Sequence, residues 1–415
     1  MQKDAHYYAV LAFARVVGFN KKAAHTLAYA SQFVDDAKIN HIVAKGKRND
    51  LENTLIEDNE THFLNMATCH NYFRSRTFNF SAMMNNTCAF HFIPGCDDKI
   101  TSRKFKCRKE SKVIVAIIED AINDNGNNSL YKFGIALHAY ADTFSHQGFA
   151  GLPNKVNDIY NPTLHHPLIT YRRIWENKLR CCVRTQLRKI DMCITNYGHG
   201  QVFSNPDISH VIWSYEYDDT PYLMAMDQKK SKGQRETKEL KATGDIENPK
   251  RFKEAFVNII KYLNKYIEKH EEIIDHDFLS VNSGAKQEKF DYLYKVLVQD
   301  PKFLKSKEKV WIDKIIELKL YDISETVKYI KYNKHKWLKE AFLNYNKRKF
   351  NHRYVSDAVL NETIFKKSDW YNFYNAVYWY KPKFYAYCRD NGLDIPNDYL
   401  PKETLSDDSL LRIAG

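Results

Sequence analysis

The sequence predicts an all-α protein, a multi-helix, metal-centred bundle with an additional helical C-terminal region. Three observations predict it. Apolar residues recur at helical spacing in both halves, as Phe133, Leu137, Tyr140 and Phe144 and again as Phe252, Phe256, Ile259, Ile260, Leu263 and Ile267. One of these stretches, Leu137 to His146, also carries His138, Asp142 and His146 four residues apart. Each step of four turns the side chain by only about 40°, so these metal-ligand types share the face opposite the apolar stripe. Finally, twelve of the sixteen histidines precede residue 211, which concentrates ligand chemistry in the first half.

The elements follow in order. Residues 4–17 begin Asp4-Ala5-His6-Tyr7-Tyr8 and read as a helix ended by Gly18. Asn20 caps a second helix reaching Ala37, whose Ala24, Leu27, Ala28 and Ser31 suit close packing. That helix ends Gln32-Phe33-Val34-Asp35-Asp36. Two carboxylates at a helix C-terminus oppose the helix dipole, a conflict that either a metal or full solvation resolves. Residues 40–60, with His41, read as a loop or strand pair, and residues 70–110 as irregular, with His91 between Phe90 and Phe92. Lys112 to Asn123 is a helix, and Asp124 to Asn127 turns into the central one, with Asn128 or Ser129 at its start and Gly148 or Gly151 at its stop.

Beyond Pro153 and Pro162, Thr170 to Thr195 reads as a long basic helix. Gly198-His199-Gly200 sets a histidine on a flexible backbone, and Ser204-Asn205-Pro206-Asp207 follows. Residues 227–250 are charged and read as a loop or linker. Helices then resume over Arg251 to Glu271, Phe290 to Val298, Val310 to Leu318, Ile323 to Tyr345 and Trp370 to Tyr387, where Pro382 should kink or split the last. Its aromatic stripe reads as core. The expected organisation is a metal-binding helical core over 1–226, the charged loop, and a helical region over 251–415 packed on that core.

Composition excludes some classes. Of 415 residues 44% are hydrophobic, which argues against disorder, and no apolar run is long enough to span a bilayer. Met1 to His6 lacks a secretion-signal pattern, so the expected location is cytoplasmic, or outside by a route that needs no cleavable signal. A formal charge of +12 favours anionic partners: phosphate esters, nucleotides, nucleic acid, or a phospholipid surface met peripherally. Eight cysteines without a Cys-x-x-Cys pair fit reduced, buried thiols.

Leu137-His138-Ala139-Tyr140-Ala141-Asp142-Thr143-Phe144-Ser145-His146 resembles the His-x3-Asp-x3-His helix of zinc-dependent phospholipase C-like proteins, a superfamily that includes single-strand-specific zinc nucleases. Asp4-x-His6-Tyr7-Tyr8, the Ala30 to Asp36 run, Gly198-His199-Gly200 and Asn248-Pro249-x-Arg251-Phe252 resemble an uncharacterised bacterial family within it. The resemblance implies a mostly helical fold around two or three zinc ions, other divalent metals remaining open, and hydrolysis of phosphate esters. It implies that His138 and Asp142 bind paired metals, with Asp142 bridging, and that His146 binds a third. His6 takes the place of the N-terminal helix histidine. Asp35 or Asp36 takes that of a ligand and base, and His70, or else His62 or His91, that of the histidine after it. His199 takes the place of the later histidine.

Two features depart from the superfamily's pattern. A processed N-terminal tryptophan, whose amine binds metal, is missing, and Asp4 is the expected substitute. No acidic residue stands four after His199, where Phe203 lies, so Asp207 is the nearest carboxylate.

Two such metals about 3.5–4 Å apart can hold a bridging hydroxide that attacks phosphorus, with Asp35, Asp36 and Asp142 as the catalytic carboxylates. Tyr171-Arg172-Arg173 could steer an anionic substrate. The expected activity is a phospholipase C-like phosphoesterase. The alternatives are a nuclease or nucleotide hydrolase on the same centre, acting as a toxin or effector, and a non-catalytic interaction protein with structural metal. The second half is expected to shape substrate access without supplying hydrolytic groups.

Overall fold

The computed structural model describes residues 1–69, 82–165, 198–218, 240–301 and 306–395. The expected helix over Thr170 to Thr195, Tyr171-Arg172-Arg173, His70 and residues 227–239 lie outside them.

The fold centres on the helix Ser129–Ser145, and every residue from Tyr131 to Ser145 is buried. In chain order the main helices are α1 (Val10–Val17), α2 (Lys21–Asp36), α3 (Lys112–Ile122), α4 (Ser129–Ser145), α5 (Asn248–Ile267), α6 (Lys286–Val298), α7 (Lys307–Glu317) and α8 (Asp369–Asp390). α2, α3, α5 and α8 pack around α4. The caps follow the local chemistry. The Asn20 side chain accepts from the Ala23 amide, which satisfies one orphan donor of α2. Gly18 ends α1 at φ +129, a conformation that a Cβ would strain. α2 and α4 meet at Gly134, where a Cβ would lie 2.7 Å from Ala30 Cβ and 2.8 Å from the Leu27 carbonyl oxygen.

The fold is mixed rather than all-α. Two four-stranded sheets flank the helices. The first contains β1 (His41–Lys45), β2 (Thr54–Glu57), β3 (Glu60–Phe63) and β8 (Tyr354–Ala358), in the order β2-β3-β1-β8. β2 and β3 form an antiparallel hairpin, while β8 joins β1 in parallel through His41↔Tyr354 and Ile42↔Val355. The second contains β4 (Ile159–His165), β5 (Ile212–Asp218), β6 (Leu240–Ala242) and β7 (Ile246–Glu247), with β4, β6 and β7 all pairing to β5. The strands have two to seven residues, too short to give a clear period-two signal. Their partners are distant in sequence, and a local periodicity carries no trace of them. Residues 240–250 of the charged stretch accordingly build β6, β7 and the first turn of α5.

The C-terminal region shares one hydrophobic core with the first half. Its helices differ from expectation in two places. Ile323 to Tyr345 is not one helix: it contains short turns at Thr326–Ile330 and Lys336–Ala341. α8 runs unbroken through Pro382. The α8 aromatics are interior: Trp370, Phe373, Tyr374 and Phe384 are buried, and Trp370 and Tyr374 meet Phe63 of β3 edge-on. No helix among the described residues is long and apolar enough to cross a membrane.

Candidate metal centre

Two segments that feed the centre are π-helical turns, Asp4–Ala9 with His6 and Met83–Cys88 just before His91. Such turns are uncommon and concentrate at functional sites. α4 supplies His138 and Asp142 from its last turns and His146 from the residue capping its C-terminus. α2 supplies Asp35. The Thr68 hydroxyl donates to the Val34 carbonyl, and the Thr68 carbonyl meets His91 Nε2 at 3.0 Å. α8 holds that segment from outside: Lys381 Nζ donates to the Asn65 and Ala67 carbonyls, and the Tyr378 hydroxyl to that of Leu64.

These segments meet in two adjoining clusters that share Asp142. In the first, His6 Nε2 lies 3.1 Å from Asp142 Oδ1, and His91 Nδ1 3.1 Å from Asp142 Oδ2. His138 Nε2 is 3.2 Å from His91 Nδ1 and 3.4 Å from Asp142 Oδ2. Asp35 Oδ1 is 3.8 Å from both His91 and His138. In the second cluster, His146 Nε2 is 2.9 Å from Asp207 Oδ1 and His199 Nε2 3.3 Å from Asp207 Oδ2. The Met1 α-amine hydrogen-bonds Asp142 and lies 3.1 Å from Asp207. The histidine side chains are at most 5% exposed, whereas Asp35 keeps 28% and Asp207 17%, so any approach is from the carboxylate side.

The hydrogen bonds test whether a metal fits. A carbonyl oxygen pairs only with an N–H, so His91 carries its proton on Nε2 toward Thr68. His146 carries its proton on Nδ1, 2.6 Å from the His91 carbonyl, and His199 on Nδ1, 2.5 Å from that of Phe203. When these rings are neutral, the second nitrogen of each directs a lone pair at a carboxylate oxygen. Either a second proton on the ring or a cation between the two removes that repulsion. Burial opposes the proton: it pulls His199 down to about 4 and lowers His91 below its usual range. His146 goes the other way, because Asp142 and Asp207 outweigh its burial. Imidazoles fixed through one nitrogen to backbone carbonyls, with the other aimed at a shared carboxylate, offer the donors and outer-shell hydrogen bonds that a divalent metal would need.

The carboxylates divide likewise. Burial would raise Asp142, but the Met1 amine and the His146, His6 and His138 rings hold it well below the usual range. Asp207 is held down by the Met1 amine, His199 and His146 against the same burial. For Asp35 burial outweighs the opposing pull of the His91 ring and the Met1 amine and pushes it up to about 7.

Of the residues expected from sequence, His6, Asp35, His138, Asp142, His146, His199 and Asp207 meet here. Two assignments change, and one set of alternatives narrows among the described residues. Asp36 turns away from the cluster, where the Tyr332 hydroxyl donates to it at 2.9 Å and Lys334 stands 3.8 Å off. Asp4 does not substitute for an amine: it binds Lys307, and the Met1 α-amine occupies the position between Asp142 and Asp207. His62 pairs with His41 at 3.1 Å in the first sheet, so of the candidates for the histidine that follows Asp35, His91 is the described one that stands near it, at 3.8 Å. His91 had no helical spacing to mark it, and its signal was a polar residue between two core phenylalanines.

Asn248 was flagged by resemblance, and the structure shows what it does. Fully buried at the start of α5, its amide donates to the carbonyls of Asn205 and Ile208, while its oxygen accepts from the Trp213 indole. It thereby fixes the turn that presents Asp207. Asn248→Leu should leave those groups unpaired in the interior, costing about 3 kcal/mol or more, since each carries a desolvation penalty of about 1–3 kcal/mol. Thermal melting together with metal counting should show lower stability and a lower metal content than the unaltered chain. Full retention of metal would remove Asn248 from the site.

A family described as "Family of unknown function (DUF6765)" matches residues 1–388. No curated protein and no solved structure matches the chain.

Proposed function

We propose that this chain, which belongs to the DUF6765 family, is a metal-dependent phosphoesterase using zinc or a similar divalent ion. The observation that carries the reading is the set of ring nitrogens aimed at Asp142 and Asp207 while their opposite nitrogens are committed to backbone carbonyls. His6, Asp35, His91, His138 and Asp142 would hold one group of ions. His146, His199 and Asp207 would hold an adjoining one. Divalent ions so placed acidify water and neutralise charge developing on a phosphoryl group.

The chain's own groups supply the rest. Asp142 joins the two clusters and fixes their spacing. Asp35, oriented by Gln32 Nε2 at 3.3 Å from its Oδ2, is the most exposed of these carboxylates, and is placed to take a proton from the attacking nucleophile. The buried histidines exclude water from the inner face. The donors outnumber the four that close a structural site, and two carboxylates stay accessible, which favours catalysis over a purely structural metal.

Protein purified without chelator should contain more than one divalent ion per chain by elemental analysis. It should hydrolyse bis(p-nitrophenyl) phosphate. Removing the ions should abolish hydrolysis and lower stability by about 4 kcal/mol, the linkage expected for ligand at a thousand times its Kd. Metal-free protein as purified, with a melting curve that added zinc does not move, would overturn the reading.

A further inference from the structure

The C-terminal region reaches the His–Asp clusters through one buried cation that the proposed chemistry does not use. Lys307 opens α7, and its ammonium donates to Asp4 Oδ2, to Ser209 Oγ and, at 3.4 Å, to the Leu297 carbonyl of α6. Its three N–H donors thus have three acceptors. The Lys307 side chain is only 16% exposed and that of Asp4 6%, and Ser209 is buried. Ser209 in turn donates to the same Leu297 carbonyl at 2.6 Å. Glu308, the next residue of α7, accepts from Lys3 at 2.7 Å, a second tie from this helix to the N-terminal segment. Asp4 opens the π-helical turn whose His6 faces Asp142, and Ser209 stands two residues beyond Asp207. One ammonium therefore joins a segment that feeds the first cluster to a segment that feeds the second.

We infer that Lys307 is a positioning residue: it fixes the separation of the His6 and Asp207 segments, and with it the spacing of the two clusters. The inference rests on the reading of those clusters as a metal centre, and it adds to that centre a residue of the C-terminal half. Stability alone does not account for a buried ammonium here. The cost of taking an ammonium and a carboxylate out of water largely offsets their attraction, and an apolar pair of similar size is often as stable. An apolar pair lacks direction, however. Three hydrogen bonds from one nitrogen set where Asp4, Ser209 and Leu297 stand relative to one another, whereas methyl groups would let the two segments slide.

The test replaces the pair rather than one partner, because a lone Asp4 carboxylate in the interior would destabilise the chain on its own account. Asp4→Leu/Lys307→Met should melt close to the unaltered protein. Its zinc affinity, measured by competition with a chromophoric chelator, should fall about 10- to 100-fold, the usual loss when outer-shell support of a metal is removed. Loaded with cobalt(II), it should show an altered visible absorption spectrum, because displaced ligands change the geometry around the ion. Ile315→Ala, fully buried about two turns further along α7, should destabilise the chain by opening a cavity and leave the cobalt spectrum as it was. Unchanged zinc affinity and cobalt spectrum in the double variant overturn the inference, and so does an equal spectral change in Ile315→Ala. Should the double variant fail to fold, Ser209→Ala, which removes one acceptor of Lys307, decides: weaker zinc binding with an altered spectrum supports the inference, and no change in either overturns it. The two readings fail separately. Ester hydrolysis by the unaltered chain, with zinc affinity and spectrum insensitive to these variants, leaves the phosphoesterase standing and removes the role of Lys307. Weakened zinc binding and an altered spectrum in a chain that hydrolyses no ester leave Lys307 in its role and remove the enzyme.

Discussion

Asp142→Ala should lower phosphodiester hydrolysis by at least about 10³-fold, roughly 4 kcal/mol of transition-state stabilisation. The reason is its position. Its two oxygens face His6, His91 and His138 at 3.1 to 3.4 Å, and one of them also meets the Met1 amine. No other carboxylate among the described residues contacts both clusters so closely. Removing it takes a ligand from the first cluster and the carboxylate that faces the Met1 amine and His146 beside the second, and leaves lone-pair-bearing groups facing one another in the interior. His199→Ala should do less, because His199 faces Asp207 and the ring of His146 in the outlying cluster and stands away from Asp142. Elemental analysis beside kinetics separates the two. Asp142→Ala should lose most of its metal, whereas His199→Ala should lose about one ion and keep measurable activity. Equal losses in the two variants would remove Asp142 from its bridging position.

Gly134→Val should impair the centre without touching a ligand. At Gly134 even a Cβ would stand 2.7 Å from Ala30 Cβ and 2.8 Å from the Leu27 carbonyl oxygen, so valine must push α2 away from α4. Overpacking of this kind costs about 1–3 kcal/mol. The same shift separates Asp35 on α2 from His138 on α4, which now stand 3.8 Å apart. A displacement of about 1 Å can cost about 10²-fold in rate. The expected variant melts earlier, binds metal more weakly and turns over about a hundredfold slower. Gly284→Ala, where an added Cβ meets nothing within 4 Å, serves as the control and should change none of these. Normal metal content and rate in Gly134→Val would show that the close approach of the helices does not set the site.

Much of this centre could be read in one dimension because helices repeat locally. His138, Asp142 and His146 lie on one turn-by-turn ladder, and Asp35 stands where a carboxylate conflicts with its helix dipole. Both signals are complete within a few residues. The Asn20 cap and the Gly18 stop were legible for the same reason. His91 was not. Its segment is a π-helical turn followed by an irregular stretch, and what brings it to Asp142 is the Thr68 carbonyl, in a segment that Lys381 of α8 holds through the neighbouring Ala67 carbonyl.

The sequence by itself determined the central helix, the face that carries His138, Asp142 and His146, and the basic, helix-rich character of the chain, because helical hydrogen bonds and side-chain periodicity close within four residues. Tertiary structure alone decided that Asp35 faces the His–Asp clusters and Asp36 does not, since adjacent positions on a helix end point about 100° apart and only the neighbours tell which is inward. Here the neighbours are His91 and His138 for Asp35, and Tyr332 with Lys334 for Asp36. It alone decided the two sheets as well. β1 finds β8 across some three hundred residues, and β4 finds β5 across some fifty. Strand pairing is satisfied by whichever edge the fold delivers, and the free energy that selects that edge lies in the packed core rather than in either strand.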